Sequence, residues 1–403
     1  MKNNFHTIKE CRCCKSADIN IILDLNNQPL ANSYHNEEEQ LEEYPLQLML
    51  CNNCFHTQLS IVVNPDMMFK NYLYVSGTTN SLKNYFNFFA NFVSYRYKNY
   101  FNKPANNILD IACNDGTQLD FFKNLNIKTY GIDPAENLYK ESSIKHNIVC
   151  DYFPSEKLNG KYDLITAQNV FAHTHNIHEF IKECEELLSD EGILYIQTSQ
   201  ANMIINNEFD TIYHEHLSFF NTKSMMAVLK NSTLNLNNVF KFDIHGTSYI
   251  FEISKSKYDS NIESILKIET DNGLYSSDTY QQYSLNCLDI SKQFKEKITE
   301  LRKNDYIIIG YGAAAKGMTF LNFANVNMDY IIDDNKLKQN LYTPGTNTKI
   351  VDVSFLDNYN TDDKIAFVPL AWNFFEEIVN RIKNIRKNEK DIFIKYFPKI
   401  KIN

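Results

Sequence analysis

Short apolar runs alternate with helix-length amphipathic stretches in two separate parts of the chain, the signature of parallel sheets covered by helices. In the first part, from Asn106 to about Phe242, Ile108 to Ala112 and Tyr130 to Asp133 read as strands separated by one helix. Tyr162 to Gln168 reads as a third strand, His178 to Leu188 as a helix and Gly192 to Gln197 as a further strand. The second part opens with a helix over Tyr280 to Lys303, followed by a strand, a glycine turn and a helix over Tyr306 to Gly317. Apolar runs at Met328–Asp333, Lys364–Leu370 and Asp391–Tyr396 continue that sheet. Ahead of both, Tyr85 to Phe92 carries aromatics at helical spacing, which reads as a core face. The pattern predicts an α/β chain with two Rossmann-like units and a small N-terminal unit, divided at 1–66, 67–242 and 243–403.

The first unit has the layout of a nucleoside site. Its opening strand ends in Asp110-Ile-Ala-Cys-Asn-Asp-Gly116, an acidic turn whose glycine lets backbone approach a ligand and whose following helix offers free N–H groups. Asp133 closes the second strand, where a carboxylate accepts from both ribose hydroxyls. Asp110, Ala112, Asn114, Asp115, Gly116, Asp133, Pro134, Gln168 and Asn169 form the expected cofactor face, with His173 also just past a strand end. A full G-x-G-x-x-G is missing, which favours a cofactor without phosphates, S-adenosylmethionine, over NAD. The second unit's turn carries Gly310, Tyr311, Gly312, Lys316 and Gly317, and its next strand ends in Asp333. That turn reads as a phosphate cradle, with an ordinary structural turn as the alternative.

Titratable groups concentrate in Tyr213-His-Glu-His216, which supplies a base near neutral pH, an orienting partner and a hydrogen-bond donor. The spacing lacks the i, i+4 histidine pair of the zincins, so acid–base work is favoured over a catalytic metal. Cysteines tell a different story. Cys11-Arg-Cys-Cys14 and Cys51-Asn-Asn-Cys54 have metal-ligand spacing, and Cys11, Cys14, Cys51 and Cys54 form the expected closed zinc site. Cys13 is a possible substitute ligand, while Cys113, Cys150, Cys184 and Cys287 read as buried thiols.

Composition narrows the partners. The 403 residues carry a formal charge of −9 and are 43% hydrophobic. A folded, cytoplasmic protein is expected, with no membrane span, no secretory signal, no nucleic-acid partner and a monomeric state favoured. Glu37 to Glu43 reads as a solvated acidic face.

Seven motifs occur in a characteristic order: the paired C-x-x-C turns flanking Asn27-Gln-Pro-Leu-Ala-Asn32, then Y-L-Y-x-S-G, C-N-D-G-T, N-V-x-A-H, Y-H-E-H-L-S-F-F, G-Y-G-A-A-A-K-G, and P-G-T with A-W-N-F. In this the chain resembles, from end to end, the sugar C-methyltransferases that build branched deoxysugars from nucleotide-linked 4-keto sugars. The resemblance implies a zinc-binding domain, a central S-adenosylmethionine domain and a C-terminal domain that helps hold the nucleotide sugar. By position it implies His216 as the base, with Glu215, Tyr213, Tyr72, Tyr74 and His173 at the catalytic site. His214, His245, Gly310, Tyr311, Gly312, Lys316 and Asp333 fall on the substrate side. Two departures stand out. Ala112 replaces the family's usual glycine, and His245-Gly-Thr-Ser-Tyr-Ile250 lacks the arginine of H-G-G-S-x-R.

Overall fold

Apolar residues alternate with polar ones near the end of Ile19–Gln28 and pair it with Tyr44–Cys51, burying Leu23, Leu25, Leu46 and Leu48 on one side. The computed structural model describes residues 4–69, 77, 80–244 and 246–403. Its N-terminal strands are β1 (Phe5–Thr7), β2 (Ile19–Gln28), β3 (Tyr44–Cys51), β4 (Thr57–Leu59) and β5 (Ile61–Val63). The central unit contributes β6 (Asn107–Ile111), β7 (Lys128–Asp133), β8 (Asn147–Cys150), β9 (Tyr162–Gln168) and β10 (Leu188–Thr198). It continues through β11 (Ser218–Phe219), β12 (Asn235–Phe242) and β13 (Ser248–Ser254).

The seven-stranded central sheet has the order β12-β13-β10-β9-β6-β7-β8. Strands β8, β7, β6, β9 and β10 are parallel, and β13 runs antiparallel to both its neighbours. Ile108, Leu109, Leu164, Ile165 and Ile193 to Ile196 are buried in succession, because helices cover a parallel sheet on both faces. The chain leaves β6 first toward β7 and returns to its other side as β9. That switch opens a crevice beyond the carboxyl ends of β6 and β9. Since β13 belongs to this sheet, the central layer takes in residues past 242.

A second sheet, ordered β16-β15-β14-β17-β18-β19, is made of β14 (Ile307–Tyr311), β15 (Tyr330–Ile332), β16 (Ile350–Val351), β17 (Ile365–Pro369), β18 (Ile392–Lys395) and β19 (Lys401–Ile402). Only the β18–β19 pair is antiparallel. The long helix Ser277–Lys303 leads into it.

The N-terminal unit buries a small cluster of its own, Leu30, Tyr44, Ile61 and Val63, and packs its other apolar residues against its neighbours. β11 pairs with β4, so a strand of the central unit completes the sheet β11-β4-β3-β2. Leu23, Leu25 and Leu46 share one apolar cluster with Tyr280, Phe294 and Ile308, and Cys11 and Cys51 share another with Phe171, Ile177 and Phe180. Its neighbours supply the burial that so short a stretch lacks. No helix among the described residues is long and apolar enough to cross a membrane.

Candidate functional site

Turns following β6, β7 and β9 wall a cavity of about 360 Å³. Ala112, Asn114, Asp133, Pro134, Gln168, Asn169 and His173 all line it. Ala112 and Asn114 after β6 and Asn169 after β9 have φ of 58°, 53° and 53°, so two of the strand ends turn through the left-handed region. Asparagine tolerates that conformation, whereas at Ala112 it carries a cost that glycine avoids. Asp133 is buried, and its two oxygens accept from the backbone N–H of Asn114 at 2.8 Å and of Ala135 at 2.9 Å. Burial pushes its carboxyl upward, and those N–H donors oppose the shift. The Gln168 Nε2 and Asn169 Oδ1 atoms are buried and have no partner among the described residues. A donor, an acceptor and a carboxylate beside the apolar Phe86, Phe153 and Val170 fit the base and ribose of a nucleoside.

Other members of the expected cofactor face lie behind this wall. Asp110 accepts from Gln118 Nε2 at 2.9 Å and Thr166 Oγ1 at 2.8 Å, and burial pushes its carboxyl up to about 7. Asp115 accepts from the N–H groups of Gly77 and Thr117. Gly116, at φ 77°, packs beside His146. Conversely, Tyr85 and Phe86 face the cavity, and the Tyr85 hydroxyl donates to Gln168 Oε1 at 2.8 Å. Helical spacing places these aromatics on one face without saying that the face meets a ligand.

His216 is buried next to this cavity, with its ring centroid 4.8 Å from that of His173. Its Nδ1–H donates to the Thr211 carbonyl at 2.7 Å, which assigns the lone pair to Nε2, 3.1 Å from the Tyr213 hydroxyl. Burial drives His173 down to about 4, so its imidazole is neutral at pH 7. Glu215 accepts from Asn32 Nδ2 at 2.6 Å, and burial pushes its carboxyl up to about 7 against the pull of Asn32 and Lys338. His214 turns away. Its Nε2 donates to the Pro45 carbonyl at 3.3 Å, and its ring packs edge-on to Tyr44. Tyr72, Tyr74 and His245 lie outside the described residues.

The second glycine turn comes to the same place. Tyr34 Oη and Lys338 Nζ both donate to the Ala313 carbonyl at 2.6 Å, and the ammonium lies 4.8 Å from the Tyr34 ring. Asn32, which ends its motif, and Tyr34 just after it therefore join the Glu215 loop to the Gly310–Lys316 turn. Asp333 copies Asp133 by accepting from the N–H groups of Ala313 and Asn335, each at 2.7 Å. A Cβ at Gly312 would lie 2.9 Å from Ala371 Cβ, and one at Gly317 would lie 2.7 Å from Leu370 Cβ. Close packing on the strand end of β17 thus accounts for both glycines. Tyr311 donates to Asp334, and Lys316 Nζ sits 5.4 Å from the Trp372 ring. Trp372 Nε1 in turn donates at 2.7 Å to Asp210, a fully buried carboxylate pushed up to about 6 by burial. Asn32, Tyr34, Asp210, Lys338 and Trp372 carry roles that spacing alone does not reveal, although two of their motifs are visible.

The Sγ atoms of Cys11, Cys14, Cys51 and Cys54 lie within 4.8 Å of one another, with the Cys11–Cys54 and Cys14–Cys51 pairs at 3.5 Å. A tetrahedron with zinc–sulfur bonds of ~2.3 Å has edges of about 3.8 Å, so the four thiols fit a structural zinc ion. Cys13 is buried beside this cluster without belonging to it.

Comparisons with known proteins match three stretches of the chain. Residues 11–69 match a zinc binding domain family, 82–239 a methyltransferase domain and 243–398 the C-methyltransferase C-terminal domain. C-methyltransferase NovU of Streptomyces niveus is 24% identical over 96% of this chain and 95% of its own. The ubiquinone biosynthesis O-methyltransferase of Pelagibacter ubique is 26% identical over 34% of this chain and 65% of its own. Among solved structures, magnesium protoporphyrin IX methyltransferase of Synechocystis PCC 6803 with bound SAM aligns with 15% identity and a TM-score of 0.33, over 42% of this chain and 79% of that one.

Proposed function

We propose that this chain, whose three stretches match a zinc binding domain, a methyltransferase domain and a C-methyltransferase C-terminal domain, is a C-methyltransferase whose acceptor is a nucleotide-linked 4-keto deoxysugar methylated at C3. It is an S-adenosylmethionine-dependent methyltransferase with a structural zinc site. Bound in the cavity, S-adenosylmethionine supplies an electrophilic methyl group.

The observation that carries the acceptor reading is the state of His216. Its Nδ1–H is committed to the Thr211 carbonyl, leaving a basic Nε2 lone pair beside Tyr213 and next to cavity-lining His173. Such an imidazole removes a proton from carbon when that carbon is acidified by a neighbouring ketone. A donor such as Tyr213 or neutral His173 suits the enolate oxygen that develops. The C–H is weakly acidic in water, so positioned donors and a desolvated base are what the reaction requires. Asp133, Gln168 and Asn169 are assigned to the cofactor's ribose and base. On the other side, Asn32, Tyr34 and Lys338 link the Glu215 loop to the Ala313 carbonyl of the second glycine turn, which supports a C-terminal domain that holds the nucleotide.

Incubation with methyl-labelled S-adenosylmethionine and a panel of dTDP-, GDP- and CDP-linked 4-keto sugars tests the proposal. Label on carbon in one of these products is expected. A methyl group on oxygen or nitrogen, or no acceptor in the panel, would overturn it.

A further inference from the structure

Arg12 sits inside the first zinc-ligating turn, between Cys11 and Cys13, and is only 5% exposed. Its side chain turns away from the N-terminal unit. The Nη2 atom donates to the carbonyl of Thr174 at 2.6 Å and of His175 at 2.5 Å. Both carbonyls belong to the short loop between the 3-10 turn Phe171–His173 and the helix Ile177–Leu187. His173, which ends that turn, and residues 174–176 of the loop line the cavity.

The contact is held from both ends. Arg12 N–H donates to the buried Gln58 Oε1 at 2.8 Å, and His178 Nε2, on the helix after the loop, donates to the Arg12 carbonyl at 3.0 Å. A guanidinium is a permanent cation, and burying one without a counter-charge is costly. No carboxylate of the described residues lies within ion-pair distance of Arg12. The counter-charge at hand is the cluster next to it, since four thiolates around a divalent ion leave two net negative charges. The arginine is thus matched to the loaded metal site on one side and to the cavity loop on the other.

We propose that Arg12 is a positioning residue for the cofactor cavity, transmitting the shape of the zinc-ligating turn to the loop that carries His173. This rests on the assignment of the cavity to S-adenosylmethionine. It gives the closed zinc site a second task beyond holding its own unit together. With Arg12 truncated, the Thr174 and His175 carbonyls lose their shared donor, and the loop is free to leave the position that shapes the cavity. Cofactor binding should suffer while zinc stays bound, because none of the four thiols is altered.

The test is calorimetric titration of S-adenosylhomocysteine into full-length zinc-loaded wild type, Arg12→Met and Arg12→Lys, with zinc per chain measured on each. Arg12→Met should keep one zinc per chain and weaken binding tenfold or more. Arg12→Lys, which keeps a cationic donor, should lose less. In turnover, KM for S-adenosylmethionine should rise more than KM for the keto sugar, a split that general destabilisation does not produce. A zinc-replete Arg12→Met with wild-type affinity overturns the proposal. If Arg12→Met fails to fold, Arg12→Lys decides: affinity at least threefold weaker supports the role, and wild-type affinity overturns it. Wild-type protein that binds no S-adenosylhomocysteine would instead overturn the cavity assignment, and this inference with it.

Discussion

Replacing Asp133 by alanine should damage the turn and the cofactor site by separable amounts. Two buried backbone N–H groups, of Asn114 and Ala135, lose their acceptor. Each unsatisfied buried donor costs roughly 1–3 kcal/mol, so local stability should fall by about 2–6 kcal/mol. At roughly 2–4 °C per kcal/mol for a unit of this size, the melting temperature should drop visibly. Losing the carboxylate's bonds to the ribose hydroxyls should remove a further ~1.5–3 kcal/mol of binding, or roughly ten- to 150-fold in affinity. Asp133→Asn separates the effects, because its remaining carbonyl keeps one of the two N–H groups satisfied while the charge is gone. Calorimetry with S-adenosylhomocysteine and thermal melts of both variants provide the readout. Unchanged affinity in Asp133→Ala would refute the ribose assignment, and an unchanged melting temperature would refute the role in the turn.

Two further outcomes are expected. Chelation of the metal or Cys51→Ser should loosen the N-terminal unit, since the binding energy of a closed site is folding energy; fully active enzyme without metal would contradict this. Glu215, raised from an ordinary 4.5 to about 7 by burial, keeps its proton more tightly in the folded state. Its contribution to stability is complete below about pH 4.5 and fades as pH rises through 7, by about 3 kcal/mol at most. Asp110 and Asp210, raised to about 7 and about 6, act in the same direction. Buried His173 and His214, each driven down to about 4, act in the opposite direction below about pH 6.5, so the readout is the difference between two proteins. From pH 5 to 8 the wild type should lose more melting temperature, or gain less, than Glu215→Gln, and equal slopes would rule out this account of Glu215.

Strands that read as apolar runs, such as Tyr162–Gln168 and Ile307–Tyr311, are where periodicity and turn residues placed them, because burial between helix layers writes itself directly into sequence. The convergence of the site could not be read that way. Asn32 meets Glu215 across 183 residues and Tyr34 meets Ala313 across 279, and no local pattern encodes such pairs. Tyr85 shows the same boundary in one helix. Helical spacing marks its face as apolar, while Phe89 and Val93 meet core and Tyr85 and Phe86 meet the cavity. Asp110 shows the converse. A strand-ending acid in a cofactor turn invites a ligand role, but its carboxyl is taken by Gln118 and Thr166 beneath the wall. Single side chains of this kind are decided by tertiary contacts.

Exchange of hydrogen at the sugar carbon next to the ketone, followed by NMR in deuterated water without methyl donor, tests the central claim most directly. The account predicts exchange by the wild type and a loss on the order of 10²–10⁴-fold in His216→Ala, with both ligands still bound. Exchange at the wild-type rate in His216→Ala would contradict it and place the base elsewhere.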